Sequence, residues 1–336
     1  MDKKAKAALI IIALALALFI LGYLELSWAP IWLLSPQEVW GGLTGQNRGL
    51  RTIVVDINAT RIVMGIFVGG GLAVAGAVMQ ALFRNPMASP YILGLSSGAS
   101  LGAAIAMLFT VSFLPILFTV PLFAFVICMG TMFLVYGLAR IGNETHMETL
   151  LLSGIAVGAL LQALVSLLTY MAGDKLADIV FWGMGSLSGN SWGEITIMIP
   201  LILIGTFVAI YFSKELNAMM MGDAHAMNLG VNVRKVRIIL LIFTSMLTAA
   251  AVCFVGTIGF VGLIIPHIMR IIIGPDNRYL IPLSFALGGV FLVGCDYLAH
   301  LFSQSLGVLP IGIITSLIGA PYFIYLLRRR KMEVGW

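Results

Sequence analysis

The chain has 336 residues, 60% of them hydrophobic and only 10% charged, with a formal net charge of +5. A soluble domain carries about 25% charged residues. This chain therefore cannot cover itself with a wetted surface and reads as an all-α polytopic membrane protein. Its basic residues lie in short loops between apolar runs, which removes nucleic acid as the reason for the positive charge.

A helix needs about 20 apolar residues to cross a bilayer. In chain order, spans are predicted at 5–26, 59–81, 91–110, 114–139, 149–172, 194–213, 236–257, 258–275, 280–302 and 310–327, within a single transmembrane domain. The first run is longer than a signal-peptide core and no small-residue cleavage site follows it, so it is expected to stay as a span. Between the second and third spans a polar cluster, Arg84-Asn85-Pro86, interrupts the hydrophobic run, and the next span opens on serine and glycine, "GLSSGAS". Residues 236–275 are almost continuously apolar and too long for one crossing. Gly256-Thr257-Ile258-Gly259 offers a turn near the middle and divides them into two.

Ten spans put both termini on one side. With that side cytoplasmic, fifteen basic residues fall inside and four, Arg48, Arg51, Arg61 and Lys175, outside. This is the positive-inside bias of a cell-membrane protein. Gly94, Gly98 and Gly102 recur every four residues, as do Gly154 with Gly158 and Gly65 with Gly69. Such faces let helix backbones approach closely in lipid.

Several chemistries are missing. No GxxxxGK[ST] phosphate loop occurs, so ATP is not bound by that route. "GLSSG" fits a nucleophile-elbow pattern but opens a membrane span, with no strand before it. His146, His225, His267 and His300 form no metal-binding pair, and Cys128, Cys253 and Cys295 sit singly in apolar runs as small hydrophobes. No metal and no cofactor is expected. Asp296, in the ninth span, is the clearest intramembrane charge. It is read either as an acid bonded to a neighbouring helix or as the ion ligand of a gradient-driven carrier, the rival function.

"GAVMQALFRNPMASPYILGLSSGASLGA", "GFVGLIIPHIMRIIIGPDNRYLIPLS" and "LPIGIITSLIGAPYFIYLLRR" resemble the three signature blocks of the FecCD-type permeases. These are the membrane subunits of ABC importers for iron–siderophores, haem and cobalamin. The resemblance runs from about Arg61 to Arg330. It implies ten transmembrane helices, a homodimer, two cytoplasmic ATPase subunits, an extracytoplasmic binding protein, and a metal chelate as cargo, an iron(III)–siderophore first and haem or cobalamin next. The chain itself would be non-catalytic. The resemblance further implies a cytoplasmic gate at Asn85, Pro86 and Met87, faced by His146, Met147 and Glu148. In "MMGDAHAMNLGVNVRKVR" it implies an ATPase-coupling loop carrying Gly222, Asp223, Ala226 and Gly230. For binding-protein docking it points to Arg61, with Asn58 and His300 standing where relatives carry arginines; Arg48 and Arg51 are expected to compensate for those two.

Overall fold

The computed structural model describes residues 3–29, 33–109, 116–141, 144–145, 147–306 and 309–334. In chain order the helices are α1 (Lys3–Leu26), α2 (Pro36–Leu43), α3 (Arg48–Arg51), α4 (Thr60–Leu82), α5 (Leu95–Leu108), α6 (Ile116–Ala139), α7 (Met147–Met171), α8 (Leu176–Met184), α9 (Trp192–Tyr211), α10 (Ser213–Met220), α11 (Asp223–Asn228), α12 (Val233–Val255), α13 (Val261–Ile273), α14 (Asn277–Leu306) and α15 (Ile311–Val334). A π-helical segment, Thr52–Ala59, joins α3 to α4, and a 3-10 turn, Pro90–Leu93, leads into α5. The β structure among the described residues is a two-residue ladder, Arg140–Ile141 against Glu144–Thr145, just before α7, and one isolated bridge, Trp28 to Leu33.

Seven of these helices are long and apolar enough to cross a membrane, and α5, α13 and the apolar part of α15 add three shorter ones. The chain is an all-α, multi-pass membrane protein with about ten crossings. Local chemistry sets several boundaries. Ser35 and Ser191 each open a helix with a capping box, closed by Glu38 and Glu194. The long apolar stretch at 236–275 breaks where Gly256 takes φ +74°. A Cβ there would lie 2.0 Å from the Trp182 carbonyl oxygen, so only glycine lets the two segments meet. Helix α8 was not foreseen from hydropathy, because its nine residues are too short for a span.

Helix α4 is the axis of the bundle. Every residue from Val68 to Leu82 is buried. Glycine makes this density attainable: a Cβ on Gly69 would lie 2.2 Å from the Gly288 carbonyl of α14, and one on Gly76 would lie 1.7 Å from the Gly262 carbonyl of α13. The foreseen stripe on α5 behaves alike, with Gly98 against Thr131 and Gly102 against the Phe123 carbonyl of α6. Close backbone approach replaces the hydrophobic effect as the source of cohesion in lipid.

Candidate functional site

Three places in this bundle carry polar groups that packing alone does not require. The first is the end of α4. Asn85 N–H donates to the Gln80 carbonyl at 3.1 Å and Arg84 N–H to the Ala81 carbonyl at 3.2 Å. This is the Schellman closure, whose penultimate residue is left-handed. Here that residue is Arg84, at φ +48°. Asn85 Oδ1 then accepts from Met87 N–H at 3.0 Å, and Pro86 between them has no N–H to place. Asn85 is exposed while Pro86 and Met87 are half-buried. Beyond the turn, Gly94 at φ +74° swings the chain into α5 against the backbone of Gly154 and Gly158 on α7. Met147 and Glu148 start α7, the first half-buried and the second exposed. His146, the other residue expected there, lies outside the described residues.

The second place is the pair of short helices α10 and α11 at the same end of the bundle. Gly222 at φ +119° turns the chain between them and Gly230 at φ +83° turns it out. Ala226 is fully buried, while Met221, Met227 and Leu229 are exposed. Asp223 accepts from Arg84 at 3.1 Å with one oxygen and from Arg237, on α12, at 2.6 Å with the other. On the far side of α10, Asn217 donates to Asp276 at 2.8 Å and accepts from the Asn277 backbone at 2.9 Å, tying the pair to the start of α14. Hydrogen bonds from Arg278, and then from Asn217, hold the Asp276 carboxyl well below the usual carboxylate range despite partial burial. Of the residues expected from sequence to form a coupling loop, Gly222 and Asp223 thus meet Arg84, the residue before the Asn85–Met87 turn.

The third place lies at the opposite end of α4. Arg61, expected to face a docking partner, is turned inward. It donates from Nε and Nη2 to the two Asp296 oxygens at 2.9 and 2.7 Å and also donates to the Ser188 hydroxyl. Its Nε is 3.8 Å from Glu25, whose carboxylate lies 2.8 Å from His300 Nδ1. His300 stacks on Trp28 with ring centroids 5.6 Å apart, and buried Asn58 donates to the Trp28 carbonyl at 2.7 Å. Asn58, Arg61 and His300 are therefore internal. The physical reason is that two buried carboxylates, Asp296 and Glu25, demand a counter-charge. Of the docking candidates, Arg48 and Arg51 on α3 remain exposed. Asp296 behaves as the acid bonded to a neighbouring helix. Glu25, Asp296 and His300 bring ligand atoms within 4.8 Å of one another, but the Arg61 guanidinium already supplies the positive charge a metal would bring.

Between α5, α7 and α8 lies a cavity of about 510 Å³ lined by Ser96, Ser97, Ser100, Gln162, Ser166 and Thr169 among others. A second, of about 590 Å³, adjoins it and shares Ser96 and Thr257. No described lining residue of either is charged. The serines that open α5 thus face a cavity, while the interleaved glycines face α6 and α7.

A model of the FecCD transport family matches residues 10–329. The cobalamin import system permease protein of Halobacterium salinarum is 43% identical over 283 residues, 84% of this chain and 75% of that protein. The hemin transport system permease protein of Yersinia pestis is 37% identical over 332 residues, 97% of this chain and 96% of that protein. Among solved structures, a chain described as a metal-chelate type ABC transporter in an inward-facing conformation is similar with a TM-score of 0.84 and 31% identity. That likeness covers 95% of this chain and 99% of the other. With the family model spanning nearly the whole sequence, and the bundle shared with a solved relative, the chain belongs to the FecCD transport family.

Proposed function

We propose that this protein is the membrane subunit of an ATP-driven importer that passes a metal chelate from an extracytoplasmic binding protein into the cytoplasm. Two copies form the path, and two ATPase subunits dock on α10 and α11 from the cytoplasm. The observation that carries this reading is the pair of short helices held by charge against the Asn85–Met87 turn, with Met221, Met227 and Leu229 left bare beside it. Exposed apolar side chains on a polar end of a membrane bundle mark a protein contact. Lys214, Arg234, Lys235 and Arg237 flank this pair of helices in the sequence and Arg84 reaches it through Asp223, which supports placing that end, and both termini, in the cytoplasm.

In this reading Asn85, Pro86 and Met87, with His146, Met147 and Glu148, close the path on the inner side. Met87 is flexible and apolar enough to seal an opening and move aside. The hydroxyl-lined cavities offer hydrogen bonds without fixed charge. That suits a metal already enclosed by an organic ligand, and the naming of two relatives for cobalamin and hemin import supports a chelate. An ion-gradient carrier would need a free ionisable group in the membrane, whereas Asp296 is taken up by Arg61. The reading is tested by ATP hydrolysis. The purified chain alone should hydrolyse none, and the complex with its nucleotide-binding partner should hydrolyse ATP faster when the loaded binding protein is added. Robust hydrolysis by the isolated chain would overturn it.

A further inference from the structure

The residue closing α4 is at odds with its backbone. A helix that ends in a Schellman closure places its left-handed residue where glycine is favoured, because a Cβ crowds the backbone in that conformation. Arg84 occupies that position at φ +48°. Only one other non-glycine residue among those described, Phe260, has a positive φ. A residue held against its backbone preference points to work done by its side chain. The Arg84 guanidinium lies over Gly222, 3.8 Å from where a Cβ would stand, and donates to Asp223 Oδ1. The arginine and aspartate side chains are 44% and 36% exposed. An ion pair this wet adds little stability, so stability does not account for the arginine.

What the pair does is connect. Asp223 opens α11, and its two oxygens hold two different helices, Arg84 after α4 and the largely buried Arg237 of α12. Arg84 is followed directly by the Asn85–Pro86–Met87 turn, whose internal hydrogen bond makes it move as a unit. We propose that Arg84 is a positioning residue: through the Asp223 carboxylate it carries displacement of the ATPase-contacting helices α10 and α11 to the turn that closes the path. The chain of contact is short and directional. A shift of α11 moves Asp223, Asp223 pulls one guanidinium, and that guanidinium belongs to the residue bonded covalently to Asn85. Arg237 keeps the carboxylate oriented while this happens. This inference rests on the reading of α10–α11 as the ATPase contact and of the turn as the gate.

The test uses the reconstituted complex with its ATPase, and the probe is Mg·ATP. Met87→Cys supplies a thiol at the turn, while the three native cysteines are buried. With Arg84 present, the yield of oxidative crosslinks between the two subunits should change when Mg·ATP is added. Arg84→Gly relieves the left-handed residue, so this variant should fold and melt no lower than its parent. It should still co-purify with the ATPase but lose the nucleotide dependence of the crosslink. Asp223→Asn, which keeps the shape and removes the charge, should show the same loss, and Arg84→Lys should recover part of the response. Full nucleotide dependence in Arg84→Gly, or a loss of folding in that variant, overturns the relay while leaving the gate in place. If Met87→Cys shows no nucleotide dependence even with Arg84 intact, although ATP is hydrolysed, the gate reading itself fails and the relay falls with it.

Discussion

Replacing Arg61 by methionine removes the guanidinium that satisfies both oxygens of Asp296, a side chain 3% exposed. Methionine fills a similar volume, so the loss is electrostatic and not a cavity. The carboxylate is left buried, with Glu25 also nearby and no longer balanced. Breaking a buried pair from one side costs about 3–5 kcal/mol. At roughly 2–4 °C per kcal/mol for a chain of this order of size, the melting temperature should fall by about 6–20 °C. Arg61→Lys keeps the charge but not the two-pronged fork, and should fall between. Arg61→Met with Asp296→Leu removes both charges and should recover most of the loss, because an apolar pair replaces a desolvated ionic one. The assay is thermal unfolding of the purified permease in detergent, followed by fluorescence, with no partner present. The docking role first expected for Arg61 makes the opposite forecast. If Arg61→Met melts like the parent yet binds the extracytoplasmic partner more weakly, with the difference vanishing at high salt, Arg61 is a docking residue and the buried-pair reasoning is refuted.

Gly230→Arg should leave the membrane bundle folded, because nothing lies within 4 Å of the added Cβ and only the left-handed φ is penalised, at about 1–2 kcal/mol. It should nevertheless abolish co-purification of the ATPase; wild-type stoichiometry in a pull-down would count against the coupling loop. Gly76→Ala should sharply reduce the yield of monodisperse protein on size exclusion, since its Cβ would sit 1.7 Å from the Gly262 carbonyl. Gly130→Ala, in α6 with open space around it, should behave like the parent.

The crossings were legible because span length and hydropathy are one-dimensional properties, and the break at Gly256 because glycine punctuates a run otherwise too long. The four-residue recurrence of Gly94, Gly98 and Gly102 also carried its meaning in spacing, a face turned toward neighbouring helices, whereas the cavity beside Ser96, Ser97 and Ser100 exists only once α5, α7 and α8 are brought together. The inward turn of Arg61 was not legible because its partner is 235 residues away, and no local pattern tells an exposed arginine from one that neutralises a distant aspartate. Glu25 was passed over for a related reason: a single acid at the end of an apolar run looks interfacial until a neighbouring helix closes over it. Arg84 was read only as part of a polar break. Its left-handed backbone and its reach to Asp223 exist only once α4 and α11 are brought together.

Uptake into sealed vesicles decides most directly between an ATP-driven importer and a carrier. The permease is reconstituted with its ATPase, ATP is placed on the side that the ATPase faces, and the loaded binding protein is added to the other. Cobalamin, hemin and a ferric siderophore are offered in turn. One of these chelates should accumulate in the vesicles only when ATP, the ATPase and the binding protein are all present, and a protonophore should leave the rate unchanged. Accumulation that proceeds without the ATPase and collapses with the protonophore would contradict an ATP-driven permease and make the chain a gradient-driven carrier.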